Sequence, residues 1–130
     1  MNLHNAQEQV KMFMHHAGQD CPLKPKVPDN ATQLLRLKLH AEEAVVELEE
    51  AFGNQNIVEI ADSIADSLVV VLGTAVACGI DIEPIFNEVM RSNMTKFIDG
   101  HRRDDGKWVK GPSYTPADLI PLLNLQLNAH

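Results

Sequence analysis

The sequence predicts an all-α fold, a helical bundle built round an antiparallel helix hairpin that oligomerises through apolar helices. Apolar residues recur at steps of three and four, and glycines, prolines and capping residues separate these stretches. Almost no segment shows the alternation of a strand. The 130 residues suit one domain, 1–130, and an apolar content of 45% is enough for a hydrophobic core.

The first two helices are predicted over residues 3–17 and 30–52, with a proline-rich extended connection between them. Asn30 and Gln33 form a capping box at the start of the second helix, which ends at Gly53. One face of that helix is apolar at helical spacing, through Leu34, Leu37, Ala41, Val45, Leu48 and Phe52.

Three more helices are predicted after the second. The third runs from Asn56 to Gly79, the fourth covers residues 82–97, and a short last helix starts at Thr115 with Pro116 in its first turn. A very short turn joins the second and third helices as a hairpin.

The third helix is apolar around its whole circumference after Asp66. Such a helix has to be covered on all sides, and a lone domain of 130 residues has few helices available to cover it. We therefore expect a homo-oligomer, in which a second chain provides part of the cover.

The net charge of −7 is distributed unevenly along the chain. Residues 91–114 carry +3, from six basic and three acidic side chains, and the remainder carries −10. An acidic protein has no general reason to bind nucleic acid, whereas a local basic segment can meet a small phosphorylated ligand.

The chain is expected to be cytoplasmic and to have no membrane partner. Its two cysteines, Cys21 and Cys78, match no metal or redox spacing, which is typical of a reduced intracellular protein. The N-terminus lacks the pattern of a signal peptide, and the longest uncharged stretch, residues 67–80, is too short to span a bilayer.

Acidic side chains lie along one face of each helix of the hairpin. Folding the hairpin about its turn places Glu47 level with Asp62, and Glu43 level with Asp66. Carboxylates that meet between two helices repel by about 4 kcal/mol per close pair at intermediate dielectric. A divalent cation relieves this repulsion, and Mg²⁺ is the default ion because it favours oxygen ligands.

The same acidic residues also have an ordinary structural interpretation. Glutamate favours helices, a stripe of it is usually a solvated face, and Glu59 suits the third position of a capping box. Asp62 and Asp66 fit that interpretation least, because aspartate is a poor residue inside a helix and both precede the most apolar stretch.

Four segments of the chain resemble the all-α NTP pyrophosphatases, a superfamily of MazG-like, phosphoribosyl-ATP pyrophosphohydrolase-like and dimeric dUTPase-like enzymes. These segments are HAEEAVVELEEAF, EIADSIADSLVVVLGTAVACGIDI, FNEVMRSNMTKF and DGKWVKGPSYTP. The resemblance covers the chain from about Leu34 to Asp118 and implies a helical dimer or tetramer with active sites formed partly between subunits.

The family's metal motifs are a Glu-Glu-x-x-Glu helix and a Glu-x-x-Asp helix. Glu43 and Glu47 match the first and last positions of the former, and Ala44 stands at its middle position. The second motif matches Glu59 with Asp62 literally. The pair of Asp62 and Asp66 is also a match, because an apolar run follows it as in the family.

The resemblance implies Mg²⁺-dependent cleavage, with Mn²⁺ as a substitute, between the α- and β-phosphates of a nucleoside or deoxynucleoside triphosphate. The products are the monophosphate and pyrophosphate, and the role is nucleotide-pool house-cleaning. The implied metal ligands are Glu43, Glu47, Glu59, Asp62 and Asp66, with Glu43 or Glu47 as the general base. The implied substrate contacts are Asn93, Lys96, Lys107, Lys110 and Tyr114.

Two other substrates and one other class of function remain open at this point. Phosphoribosyl-ATP and dUTP are substrates within the same chemistry. A non-catalytic helical oligomerisation module, or a nucleotide sensor, is the alternative of another class, and Ala44 at a glutamate position favours it.

Overall fold

The structure, a computed structural model, describes residues 2–129 and is all-α, as predicted. Its helices are α1, Leu3–His16; α2, which consists of Asn30–Ala41, a π-helical turn Glu42–Glu47 and Leu48–Gly53; α3, Ile57–Ala77; α4, Ile82–Thr95; and α5, Ile120–Asn128. The sequence prediction missed a small antiparallel ribbon formed by β1 (His101–Arg102) and β2 (Trp108–Val109).

The chain divides into two compact units, one that ends at Asp81 and one that begins at Ile82. The first contains α1, α2 and α3, and the second contains α4, the ribbon and α5. One domain over residues 1–130 stays a prediction.

In the first unit, α1 and α2 both pack against α3. The N-cap of α2 is Asp29, whose carboxylate accepts a hydrogen bond from the Thr32 amide at 2.8 Å, so the prediction of Asn30 as the cap is wrong. Asn56 caps α3 as predicted, and its side chain accepts from the amides of Val58 and Glu59.

The polar face of α2 packs toward α3, while its apolar face is exposed. Arg36 is buried, and the His40 ring is hydrogen-bonded to the Thr74 hydroxyl at 2.7 Å. The apolar face remains 58–68% exposed at Leu34, Leu37, Val45 and Phe52. The acidic stripes of α2 and α3 therefore lie on facing sides of the hairpin.

The second half of α3 forms much of the core, through Val70, Leu72, Ala75, Val76 and Ala77. Three other apolar residues of this helix, Leu68, Val69 and Val71, are between 41% and 55% exposed. By length and composition alone, α3 could cross a membrane, but the core helix of a soluble protein passes the same weak test.

In the second unit, α4 holds the segment that precedes α5 by hydrogen bonds. The Ser92 hydroxyl donates to the Thr115 carbonyl at 2.8 Å, and the Thr115 amide donates to the Thr95 hydroxyl at 2.9 Å. These bonds keep Thr115 outside any helix, so the predicted helix start at that residue is wrong. Helix α5 begins at Ile120, with Pro121 in its first turn.

Candidate metal centre and basic cleft

Three carboxylates meet where the π-helical turn of α2 faces α3. One side-chain oxygen each of Glu43, Glu47 and Asp66 lies within 4.8 Å of the other two. The pairing of Glu43 with Asp66 is the one that the hairpin register predicts. The Ser63 hydroxyl of α3 is buried and donates to the Glu43 backbone carbonyl at 3.2 Å, which ties the two helices together beside the cluster.

The cluster raises the pKa values of its members. The pKa of Glu43 is raised to about 7, first by its hydrogen bond with Glu47, then by burial and by repulsion from nearby carboxylates. Burial, followed by the charges of Asp62 and Glu47, raises the pKa of Asp66. Within residues 2–129, Oε2 of Glu43 is buried and has no hydrogen-bond partner. The apoprotein therefore holds these charges at a cost.

These features fit a hard divalent cation. Oxygen donors are what such an ion prefers, and the three carboxylates already present one oxygen each within 4.8 Å of the others. The nearby cation of the same helix face, Arg36, donates to Thr74 and to the Val70 carbonyl. Among the described residues it forms no ion pair with the cluster.

The other predicted ligands lie toward the turn of the hairpin. A polar cleft of about 260 Å³ is lined by Glu47, Glu50, Ala51, Asn54, Glu59, Asp62 and Ser63. The Asn54 amide donates to Glu59 at 3.0 Å. Glu47 belongs both to this cleft and to the cluster of three carboxylates, so the acidic side chains form one continuous row. Which of them bind a metal stays a prediction.

A basic cleft lies within the second unit. Its volume is about 340 Å³, and it is lined by Lys96, Arg103, Lys107, Trp108, Val109, Lys110 and Tyr114. The Lys110 ammonium lies 4.3 Å from the centre of the Tyr114 ring, and that of Lys96 lies 5.9 Å from it. Four of the five predicted substrate contacts thus surround one cleft. The fifth, Asn93, is outside the lining.

Trp108 anchors the segment that carries these lysines. Its indole N–H donates to the Lys96 carbonyl at 2.6 Å, and its ring packs 5.0 Å from that of Phe97. These contacts make Trp108 a hydrophobic anchor of the loop. Arg103 also lines the cleft, and it pairs with Asp105.

Sequence reasoning missed two residues beside the carboxylates. Ser63 gave no signal, because a serine inside a helix has many ordinary roles. Arg36 lies on the polar face of α2, but nothing in the sequence reveals its burial. The available signal is Gly73. A glycine in the middle of an apolar helix indicates that another group packs closely against the helix backbone there.

A family model described as phosphoribosyl-ATP pyrophosphohydrolase matches residues 10–93 of the chain. The match includes the five candidate metal ligands and ends before Lys96, so the lysines of the basic cleft lie outside it. No curated protein matches the chain.

Proposed function

Because the chain belongs to the phosphoribosyl-ATP pyrophosphohydrolase family, we propose that it cleaves a nucleotide between its α- and β-phosphates with the help of a divalent cation. Membership makes it a hydrolase of phosphorus-containing anhydrides within the all-α, MazG-like NTP pyrophosphatases. The observation that carries the proposal is the cluster of Glu43, Glu47 and Asp66 at the hairpin. The proposed substrate is a nucleoside or deoxynucleoside triphosphate, and the proposed role is nucleotide-pool house-cleaning.

In this mechanism Glu43, Glu47 and Asp66 would hold Mg²⁺ or Mn²⁺, and Glu59 and Asp62 would extend the ligand set toward the turn. The bound ion would neutralise charge that develops on the phosphate oxygens. Water attacks the α-phosphorus, the bond from that phosphorus to the bridging oxygen breaks, and pyrophosphate leaves. Glu43 or Glu47 accepts the proton of the attacking water.

The basic cleft supports a phosphate-binding role for Lys96, Lys107 and Lys110. Lysine ammonium groups suit terminal phosphates, and the ring of Tyr114 lies beneath two of them. Because this cleft belongs to the second unit, its charge and composition support the role independently of the carboxylates.

Phosphoribosyl-ATP is the second candidate substrate, and the family match favours it. The same cleavage between the α- and β-phosphates would release pyrophosphate from it. A dUTPase-like preference and a non-catalytic role also stay as alternatives that the same experiment decides.

The first experiment is pyrophosphate release from a panel of ribo- and deoxyribonucleoside triphosphates together with phosphoribosyl-ATP. We expect release with Mg²⁺ and none in excess EDTA. The substrate with the highest kcat/KM separates the house-cleaning reaction from phosphoribosyl-ATP hydrolysis. Failure to release pyrophosphate from every substrate, with Mg²⁺ or with Mn²⁺, would contradict the proposal and favour the non-catalytic module.

Replacing Lys110 by Gln is expected to raise KM for the preferred triphosphate about tenfold with a smaller change in kcat, since a charged contact contributes roughly 1.5 kcal/mol. Arg102→Gln is the matched control, because Arg102 is exposed in β1 and lies outside the cleft lining. Equal KM values for the two variants would remove the lysine from the substrate site.

We also propose that the protein is a cytoplasmic homodimer or homotetramer. The exposed apolar faces of α2 and α3 support an assembly, because a second copy of the chain could bury both.

A further inference from the structure

A cavity of about 330 Å³ lies between α1, α2 and α3, beside the carboxylate cluster. Glu43 and Asp66 form part of its lining, together with Arg36. The rest of the lining is mainly apolar, through Val10, Phe13, Met14, Leu39, Val69 and Val70. Pockets for small ligands begin at about 300 Å³ and combine apolar walls with a few polar groups, as this cavity does.

Arg36 is the unusual member of this lining. Only 7% of its surface is exposed. Its Nε donates to the Thr74 hydroxyl at 3.0 Å, and its Nη2 donates to the Val70 carbonyl at 2.7 Å. Its Nη1 makes no hydrogen bond within residues 2–129, and no carboxylate there pairs with the guanidinium. The charge is therefore fixed in place by two neutral acceptors and keeps donors available.

Gly73 provides the space that the guanidinium occupies. A Cβ at this position would lie 2.5 Å from Nη2 of Arg36 and 3.3 Å from the sulfur of Met14. Gly inside a helix is less favourable than Ala by about 1 kcal/mol. Burial of an unpaired guanidinium is also unfavourable, so a stabilising role alone explains this arrangement poorly.

We propose, resting on the function proposed above, that this cavity binds the substrate's nucleobase and that Arg36 selects bases with a ring carbonyl oxygen over adenine. The cavity adjoins the carboxylates assigned to the phosphate chemistry, so a nucleotide whose phosphates lie there can place its base in it. Phe13 lines the cavity and is 62% exposed, which leaves its ring available to stack on a base.

The selection follows from the chemistry of the guanidinium, which donates hydrogen bonds and cannot accept them. Guanine, uracil, thymine and cytosine each carry a carbonyl oxygen that accepts such a bond. Adenine has no carbonyl oxygen, and its N1 and N7 acceptors each lie beside the amino group, which is itself a donor and disfavours a neighbouring guanidinium N–H. ATP and phosphoribosyl-ATP both carry adenine. We therefore expect a lower kcat/KM for both than for the triphosphates of bases with a carbonyl oxygen, the oxo-base triphosphates.

The test compares kcat/KM for GTP, UTP, CTP and ATP in the unmodified 130-residue chain and in Arg36→Met. We expect the protein to prefer at least one oxo-base triphosphate over ATP by tenfold or more, as an estimate of about 1.5–3 kcal/mol for a hydrogen bond to a charged group implies. Arg36→Met should lower kcat/KM for that substrate about 10–100-fold, because the same hydrogen bond is lost. It should change kcat/KM for ATP less than threefold. An equal loss on all four substrates, or an unchanged preference, would overturn the proposal.

Two further variants keep the test decisive if Arg36→Met folds poorly. Gly73→Ala displaces the guanidinium without removing it, and we expect it to reduce the base preference in the same direction. His40→Gln is the matched control, because His40 bonds the same Thr74 hydroxyl but lies outside the cavity lining. A change of preference in the control as large as in Gly73→Ala would indicate a purely structural effect.

Binding of GMP, UMP and AMP separates this proposal from the proposed reaction. If no triphosphate is hydrolysed, the reaction is wrong, and the affinity for the three monophosphates still tests the cavity. Tighter binding of GMP or UMP than of AMP, lost in Arg36→Met, would support base selection by Arg36. Equal affinities for all three would refute it whether or not the protein is an enzyme.

Discussion

An Asp66→Asn variant is expected to lose metal-dependent pyrophosphate release by about 10²–10³-fold, the range for removing one charged or polar group that stabilises a transition state. The substitution keeps the side chain's size and removes one charge from the cluster of Glu43, Glu47 and Asp66. For the same reason the apoprotein should become slightly more stable, because burial and neighbouring charges already disfavour the ionised form of Asp66. The measurements are turnover with Mg²⁺ and the free energy of unfolding in EDTA.

Glu49→Gln is the control for this prediction, because Glu49 is an exposed residue of α2 outside both acidic linings. It should leave turnover and apoprotein stability within the range of ordinary surface changes, about 0.5 kcal/mol. Turnover of an Asp62→Asn variant shows whether the metal site extends toward the turn of the hairpin. An Asp66→Asn variant that retained full turnover would exclude Asp66 as a ligand.

Glu43→Gln is expected to change how the apoprotein's stability depends on pH. The pKa of Glu43 is raised to about 7 in the folded protein, chiefly through its hydrogen bond with Glu47, from an ordinary value of 4.5. Ionising Glu43 therefore costs stability, and the cost is absent below pH 4.5, grows up to about pH 7 and is constant above that. The variant should equal the wild type near pH 4.5 and exceed it at pH 8 by about 1 kcal/mol, after allowance for solvent screening.

Denaturant unfolding of both proteins across pH 4.5–8 in EDTA measures this difference. Mg²⁺ at pH 8 should reverse the order, because a cation stabilises the ionised carboxylate of the wild type and has less to bind in the variant. Parallel pH profiles for the two proteins would show that Glu43 does not titrate in this range.

The helices that the sequence predicts well are those with strong local signals. Asn56 gives the start of α3 because its side chain caps two free amides there. Thr115 was wrongly placed at a helix start, since hydrogen bonds from α4 decide its conformation and leave no trace in the local sequence. The ribbon was missed for a related reason, because strands of two residues show no alternation.

The carboxylates could be brought together from sequence, because a short turn fixes the register of an antiparallel hairpin and makes Glu43 level with Asp66. The same counting could not reveal that Glu47 belongs to the cluster of three as well as to the neighbouring cleft. Nor could it reveal the burial of Arg36, which depends on Gly73 of another helix and on the packing of α1.

The π-helical turn Glu42–Glu47 is equivalent to one residue added to an α-helix. In a regular α-helix an added residue rotates everything beyond it by about 100°. Here the wide turn absorbs the extra residue, so the segments on either side keep their faces toward α3. Relatives whose helix lacks this turn would align with the chain only across a one-residue gap. Ala44 stands where the Glu-Glu-x-x-Glu motif has a glutamate. It lies within the π-helical turn, which is where that gap in the alignment would fall.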